Sequence, residues 1–588
     1  MMKINITLLS IFLFAGVQLT YAGSATWRAD AQNKRWVNSS NWTPATVPNG
    51  PADTATFGKS SATVVALSRG SIELDRIVFE PAASAFSFTV RSAGSLLLSG
   101  FGIENDSRTI QTFVIGSGVL DTLAFTNQAT AGAQTVFTVV GDGTVLNFYN
   151  DASADSGVFT IEPSSGGIPP QLLFRDNSTA ANASFTSLGG LGNQSDGGDT
   201  VFHDLATAAT AVFLNKGGTQ GASSGGKTWF YGNCTAGEAV ITNEGGASDL
   251  VAGGATFFMD NATADNALIV CNGAQTASNG FGQLYFNEIS LGGSAMLIAN
   301  PGSNGGSGGL IQFNDSSDGE QARIGLFGNG TLDIGGSDRG RITIGSLEGD
   351  GIVLLGAIRL TLGGNNLSTV FTGVIQEDGA MTKQGSGTLT LSGANTYTGG
   401  TIVNEGSLNV NNRSGSATGG GIIQVSGGML SGGGFISGPV TVGSGSGPGA
   451  ILAPGNGSTT MTLRSTVTFR ADGSYDWRLK TVPARADKVV ANGVTIESGA
   501  QFEAIAVGNA QLPDGTSFVA INNTAATPIA GSFDNLPDGG TVSLGSNTLQ
   551  ADYQGGDGND LTLTVVPQSR KQDRLVSGAF FSDAETVR

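Results

Sequence analysis

Five acidic residues recur at one phase of the chain. Asp176, Asp204, Asp260, Glu288 and Asp315 each stand two residues after a phenylalanine. Glycoside cleavage by paired carboxylates needs two acids at a controlled separation, about 5 Å for a retaining pair. If residues one period apart lie on adjacent coils, Asp176 and Asp204 meet that requirement. Asp at a turn also has a plainer use, accepting hydrogen bonds from its own backbone. The turn reading is favoured over cation binding, and cation binding over catalysis. Two neighbouring carboxylates in water repel by only about 1 kcal/mol, so no metal is required, and Gly232 interrupts the column.

The other chemistry-bearing residues are few. His203 is the one histidine, and its counterparts one period away are Arg175, Tyr231 and Met259. A position that accepts those types is expected to face solvent, so His203 receives no catalytic or metal role. A nucleophilic triad needs a base beside its nucleophile, and zinc needs more ligands than one His and two separated Cys. Cys234 and Cys271 fall at different phases of the repeat, so no disulfide is expected. Cys234 shares its phase with Ser178, Ala206, Ala262 and Ser290 and reads as a small buried thiol. The segment GGDGNDLTL from Gly555 resembles a calcium-binding nonapeptide but occurs once, where stacked copies are needed; an Asp/Gly turn before the last strand is favoured. No catalytic, cofactor-binding or metal residue is assigned, and no cofactor is expected. Trp27, Trp36 and Trp42 crowd the start of the mature sequence. They are read as a cap over the end of a phenylalanine ladder, with a sugar-stacking platform as the alternative.

What positions these residues is a repeat. Phe174, Phe202, Phe230, Phe258 and Phe286 lie 28 residues apart, with Phe125 and Phe148 before them and Phe313 after. Thr179, Thr207, Thr235 and Thr263 keep step five residues later. Ala183, Ala211, Ala239, Ala267, Ala295 and Ala322 follow nine after each Phe, and Gly189, Gly217, Gly245 and Gly273 fifteen after. A fixed period of this length marks a solenoid. The apolar runs are short and strand-like, as in Ala239-Val240-Ile241, and no helical periodicity appears. One copy is therefore one coil, with equivalent strands stacked about 4.8 Å apart. The Phe column forms an internal ladder, the Ala columns fit close walls, and the Gly column supplies turns with positive φ.

Composition agrees with this. Gly accounts for 92 of 588 residues and charged residues for 13 %, and a solenoid of this length is not limited by the size of one core. The net charge of −18 disfavours a nucleic-acid partner, which needs clustered Lys and Arg. Residues 1–22, with Lys3, an apolar run and Thr20-Tyr21-Ala22, read as a signal peptide. No later run is long and apolar enough to span a membrane as a helix.

The stretch FTGVIQEDGAMTKQGSGTLTLSGANTYTGGTIVNEGSLNV, Phe371 to Val410, closely resembles the autotransporter-associated β-strand repeat, also called the passenger-associated transport repeat. The matching residues are Lys383, Gly385, Gly387, Leu389, Leu391, Ser392, Gly393, Asn395, Tyr397, Gly399, Thr401, Val403, Gly406 and Leu408. The resemblance implies a right-handed parallel β-helix exported across the envelope, often a surface adhesin. The roughly 178 residues after the repeat lack the alternating ten-residue strands of a membrane barrel, so release, or attachment through another component, is expected.

The expected fold is all-β, a right-handed parallel β-solenoid with an N-terminal cap and a C-terminal β cap. Its parts are a signal peptide (1–22), the Trp cap and first coils (23–80), 28-residue coils (81–365), the transport repeat (366–415), a Gly-rich continuation (416–466), a C-terminal β region (467–566) and a disordered tail (567–588). The expected function is non-enzymatic: a secreted or cell-surface adhesion protein whose partners are surface glycans or matrix components. The alternative is a lyase, hydrolase or binding module acting on extracellular polysaccharide.

Overall fold

The computed structural model describes residues 23–116, 122–248, 250–277, 280–455 and 457–567. The signal peptide expected at 1–22 and the tail expected beyond Pro567 lie outside them. The chain divides into two compact units, Met1–Leu354 and Leu355–Arg588. Each is a parallel β-solenoid.

The first unit opens on two long strands, Val64–Phe79 and Ser87–Asn105, and from Thr122 to Leu326 its coils carry two short strands each, joined by tight turns. Asp199–Phe202 pairs in parallel with Lys227–Phe230, and Val212–Asn215 with Val240–Asn243, each residue meeting its counterpart 28 positions on. The burial of Val240–Asn243 alternates along the strand, with Ile241 and Asn243 inside, as a pleated wall with one dry face requires. The turn between the strands is fixed by the threonine column. Thr179, Thr207 and Thr235 form bridges from coil to coil, and each hydroxyl accepts the N–H two residues on, at 3.0 Å. The alanines at 183, 211, 239 and 267 are fully buried against the next wall.

The interior holds two aromatic ladders where the spacing predicts one. Phe125, Phe148, Phe174, Phe202, Phe230, Phe258, Phe286 and Phe313 stack with ring centroids 4.6–4.9 Å apart. A second column, Phe88, Phe113, Phe137, Phe159, Phe185 and Phe213, stacks at 4.7–5.0 Å. The two meet edge to face, as between Phe202 and Phe213 at 5.8 Å, the geometry the ring quadrupole favours. Beyond Phe213 the second column continues as Ile241, Ile269 and Leu297. Beside it runs a buried polar ladder: Asn215 Nδ2 donates to Asn243 Oδ1 at 2.8 Å, and Thr228 and Thr256 hydroxyls donate to Asn215 and Asn243.

The glycine column corrects one expectation. Gly189, Gly217, Gly245 and Gly273 are not at positive φ. They are glycine because the next coil leaves no room: a Cβ on Gly217 would lie 2.6 Å from Gly245 O, and one on Gly245 2.2 Å from Gly273 O. Left-handed backbone occurs instead at the acidic column, with φ of 58° at Asp176, 63° at Asp204 and 53° at Asp260.

In the second unit short parallel strands again stack coil on coil, from Arg359–Leu362 through Val494–Ile496. The chain closes in a seven-stranded sheet in which Ser517–Asn523 is the last strand to pair in parallel. Asp560–Val566, Asn547–Gly555 and Thr541–Leu544 then pair antiparallel. A two-residue turn, Gly545-Ser546, joins Thr541–Leu544 to Asn547–Gly555, with Gly545 at φ 60° as such turns demand. The antiparallel pairing of Ser517–Asn523 with Asp560–Val566 ends the run of parallel strands in this sheet.

Candidate functional site

The acidic column joins coil to coil by hydrogen bonds. Each carboxylate accepts the backbone N–H of the residue stacked before it: Asn150 N donates to Asp176 at 2.9 Å, Gly232 N to Asp260 at 2.8 Å, Asp260 N to Glu288 at 2.8 Å and Glu288 N to Asp315 at 3.0 Å. The expected hydrogen bonds from the carboxylate's own backbone are corrected: each donor N–H belongs to the preceding coil, 26–28 residues earlier. Among the described residues no group of three or more His, Cys, Asp or Glu is placed to hold a metal ion.

The tryptophan platform is overturned. Trp27, Trp36 and Trp42 are 2 %, 0 % and 1 % exposed. Their rings pack edge on at 5.1 and 4.8 Å, and each indole N–H donates to a backbone carbonyl. They close over Phe57, which touches Phe88 at 5.1 Å. The cap thus covers the start of the Phe88 column, while the Phe125 column begins over Leu98. Cys234 and Cys271 are buried free thiols, each pushed up to about 12 by burial, which leaves almost no reactive thiolate at neutral pH.

The best-built surface feature lies on the outward side of the strand that carries the Phe174 ladder. Position for position, Leu173, Val201, Trp229, Phe257 and Tyr285 form one outward column. Trp229 stacks on Phe257 at 3.9 Å and Phe257 on Tyr285 at 5.1 Å. On the other side the column drops to Val201, and a cavity of about 310 Å³ opens there, lined by Gln171, Leu173, Arg175, Asp199, Val201, His203, Trp229 and Tyr231. His203 is consequently not a plain solvent-facing turn residue: it is half-buried, with its ring stacked on Tyr231 at 5.1 Å. Burial holds its pKa down, helped by the Arg175 charge and opposed by Asp204 and Asp260.

Asp199 is the unusual member. It is 8 % exposed, and its Oδ1 has no hydrogen-bond partner. Burial pushes its carboxyl up to about 6, against the pull of the Lys227 charge and of the Trp229 and Gln171 side chains beside it. The folded pKa lies above the unfolded value of 3.8, so the folded state disfavours the carboxylate. The resulting destabilisation is absent below about pH 4, grows between 4 and 6, and is complete above 6, at roughly 3 kcal/mol. Asp199→Asn is therefore expected to raise stability by about 2 kcal/mol at pH 7 and to change little at pH 4. Denaturant midpoints of the two proteins at both pH values test this; equal gains at pH 4 and 7 would contradict it.

Sequence reasoning missed Trp229 and Asp199. Their signal was an irregularity, a Val one period before a Trp, where the search was for regular columns.

The sequence profile of the passenger-associated-transport-repeat family matches residues 381–410, so the chain carries the repeat its motif announces. The motif residues have visible work. Asn395 accepts the Ile375 N–H at 2.8 Å and donates to Ala417 O at 2.6 Å, tying three coils together. Leu389, Leu391, Tyr397, Val403 and Leu408 fill the core. Among solved structures, the crystal structure of the Haemophilus influenzae Hap adhesin is similar at 11 % identity and a TM-score of 0.23, covering 87 % of this chain. The match spans 64 % of the Hap chain. No curated protein matches the chain.

Proposed function

We propose that this is a passenger-like, non-enzymatic adhesion solenoid, exported and displayed at or released from the cell surface. One observation carries the reading: outward side chains stack in register from coil to coil. Trp229, Phe257 and Tyr285 do so, and so do His203 with Tyr231. Asn261 donates to Asn233 at 3.2 Å and Asn300 to Asn272 at 2.8 Å. A surface of this kind offers the same groups repeatedly along one line, and linked weak contacts along a line add avidity without any single strong site. The transport repeat at 381–410 supports export, since repeats of that name belong to passengers.

The polysaccharide-cleaving alternative draws on the Arg175, Asp199 and His203 cluster. That cavity holds one carboxylate, where cleavage by paired acids requires two. Binding without cleavage fits the residues better. The test uses residues 23–588 coated on beads, scored for adhesion to polysaccharide-coated and cell-derived surfaces, with a parallel assay for new reducing ends and unsaturated products. Saturable adhesion without products is expected. Product release would favour the enzyme, and failure to adhere to any surface would remove the proposal.

A further inference from the structure

We propose that the notch over Trp229 is a subsite for a single neutral pyranose ring of a surface saccharide; this deepens, and rests on, the adhesion reading. The shape comes from one break in a column. Trp229, Phe257 and Tyr285 are flat rings stacked like plates, and the coil before them carries Val201 in the matching place. One face of the indole lies on Phe257, the Tyr231 ring lies parallel beside it at 5.8 Å, and together with Val201, itself 6 % exposed, the indole lines the cavity. In the adjoining column the Tyr231 ring is covered by His203, so the space over the indole is a slot walled on one side by an imidazole. A ligand that fills it supplies the missing plate.

The chemistry of the walls selects the plate. An indole face suits the C–H face of a pyranose, whose hydroxyls project around its edge. At that edge stands Asp199, with an oxygen that is buried and unpaired. A buried acceptor without a donor is costly, and a sugar hydroxyl provides the donor. Arg175 and Gln171 line the same cavity and offer N–H groups to neighbouring hydroxyl oxygens. A phenylalanine side chain would stack equally well but bring no donor to Asp199 Oδ1, and Tyr or Trp would bring one donor where a pyranose edge brings several. A sulfated or carboxylated sugar would meet the Asp199 charge and a chain of net charge −18. At about 310 Å³ the slot lies at the small end of ligand sites, typically about 300–1,000 Å³, which matches one ring of a longer chain.

The chain reports on this site by itself. Of its five tryptophans, Trp27, Trp36, Trp42 and Trp477 are 0–2 % exposed, whereas Trp229 is only half-buried, so acrylamide quenching reads chiefly Trp229. The experiment titrates residues 23–588 with neutral tetraoses of glucose, galactose, mannose and N-acetylglucosamine, in parallel with a glycan array. At least one tetraose is expected to shield Trp229 and to score on the array. Val201→Phe, which fills the slot with the missing plate, should weaken that binding at least tenfold while melting no lower than the wild type. Trp229→Ala and Asp199→Asn should each weaken it at least tenfold as well. Equal binding by wild type and a folded Val201→Phe variant would overturn the subsite, as would a panel in which no tetraose shields Trp229. Shielding by an aromatic tripeptide but by no sugar would also overturn it. Adhesion of Val201→Phe beads to surfaces at the wild-type level would leave the adhesion reading standing with the subsite gone, so the two failures are distinguishable.

Discussion

Replacing Phe230 by Ala should lower the stability of the first unit by about 3–5 kcal/mol. Phe230 is fully buried, with Phe202 stacked at 4.8 Å on one side and Phe258 at 4.7 Å on the other. Removing the ring takes away its transfer energy, leaves a cavity, and breaks two stacking contacts worth about 0.5–1.5 kcal/mol each. The cavity cannot relax by collapse, because the backbones of all three coils are held in register by parallel pairing, Phe202 to Phe230 to Phe258. A solenoid coil is stabilised mainly by its neighbours, so a defect in mid-array weakens two interfaces at once. The control is Ile289→Ala, at a position 52 % exposed, expected to change stability by no more than about 0.5 kcal/mol. Denaturant unfolding followed through the fluorescence of Trp229, next door in the chain, reads both. Indistinguishable midpoints for the two variants would mean that the ladder carries no special share of the fold.

The reason one ladder was legible and the other was not is instructive about what periodicity reveals. The Phe174 column keeps the same residue 28 apart through four successive intervals, from Phe174 to Phe286, so its period stands out. The second column runs Phe88, Phe113, Phe137, Phe159, Phe185 and Phe213 at intervals from 22 to 28 residues, then changes to Ile and Leu. Coil length varies in the loops while wall register is kept, and a search for a fixed number cannot follow that. The glycine column was seen but given the wrong cause, because sequence shows that a side chain is excluded and not whether the backbone angle or a neighbouring coil excludes it. The candidate site was illegible for a third reason. Gln171, Arg175, Asp199, His203 and Trp229 come from three coils and several phases, and what joins them is the absence of a ring at Val201. A repeat advertises what is the same from coil to coil; a binding site in a repeat protein lies where one coil differs.

The second large effect is expected in the transport repeat, at Lys383. This lysine is 1 % exposed, and its Nζ donates to the carbonyls of Gln384 and Gly385 at 2.8 Å each and of Glu405 at 3.3 Å. It ends the strand Ala380–Lys383, where the chain turns through Gly385 at φ 68° and directs turn carbonyls inward with no strand partner. An ammonium has three donors and no acceptor, so one side chain satisfies three carbonyls. Lys383→Ala takes the donor from carbonyls of half-buried Gln384 and Gly385 and exposed Glu405, and leaves a cavity where the buried stem lay; a loss of about 2–3 kcal/mol is expected. Lys383→Met, which fills the space without the donors, should recover the cavity share alone. The pH dependence separates this role from that of a surface charge. Burial pushes the Lys383 pKa down to about 8 from 10.5, against the pull of Glu405. Between those values the unfolded chain holds the proton more tightly than the folded one, so stability contributed by this residue rises with pH there. The deficit of Lys383→Met relative to wild type should therefore widen from pH 8 to pH 10. Unfolding midpoints measured across that range decide the matter: a deficit that stays flat, or shrinks, would mean that burial does not hold the Lys383 ammonium's pKa down and that its carbonyl contacts outweigh its desolvation.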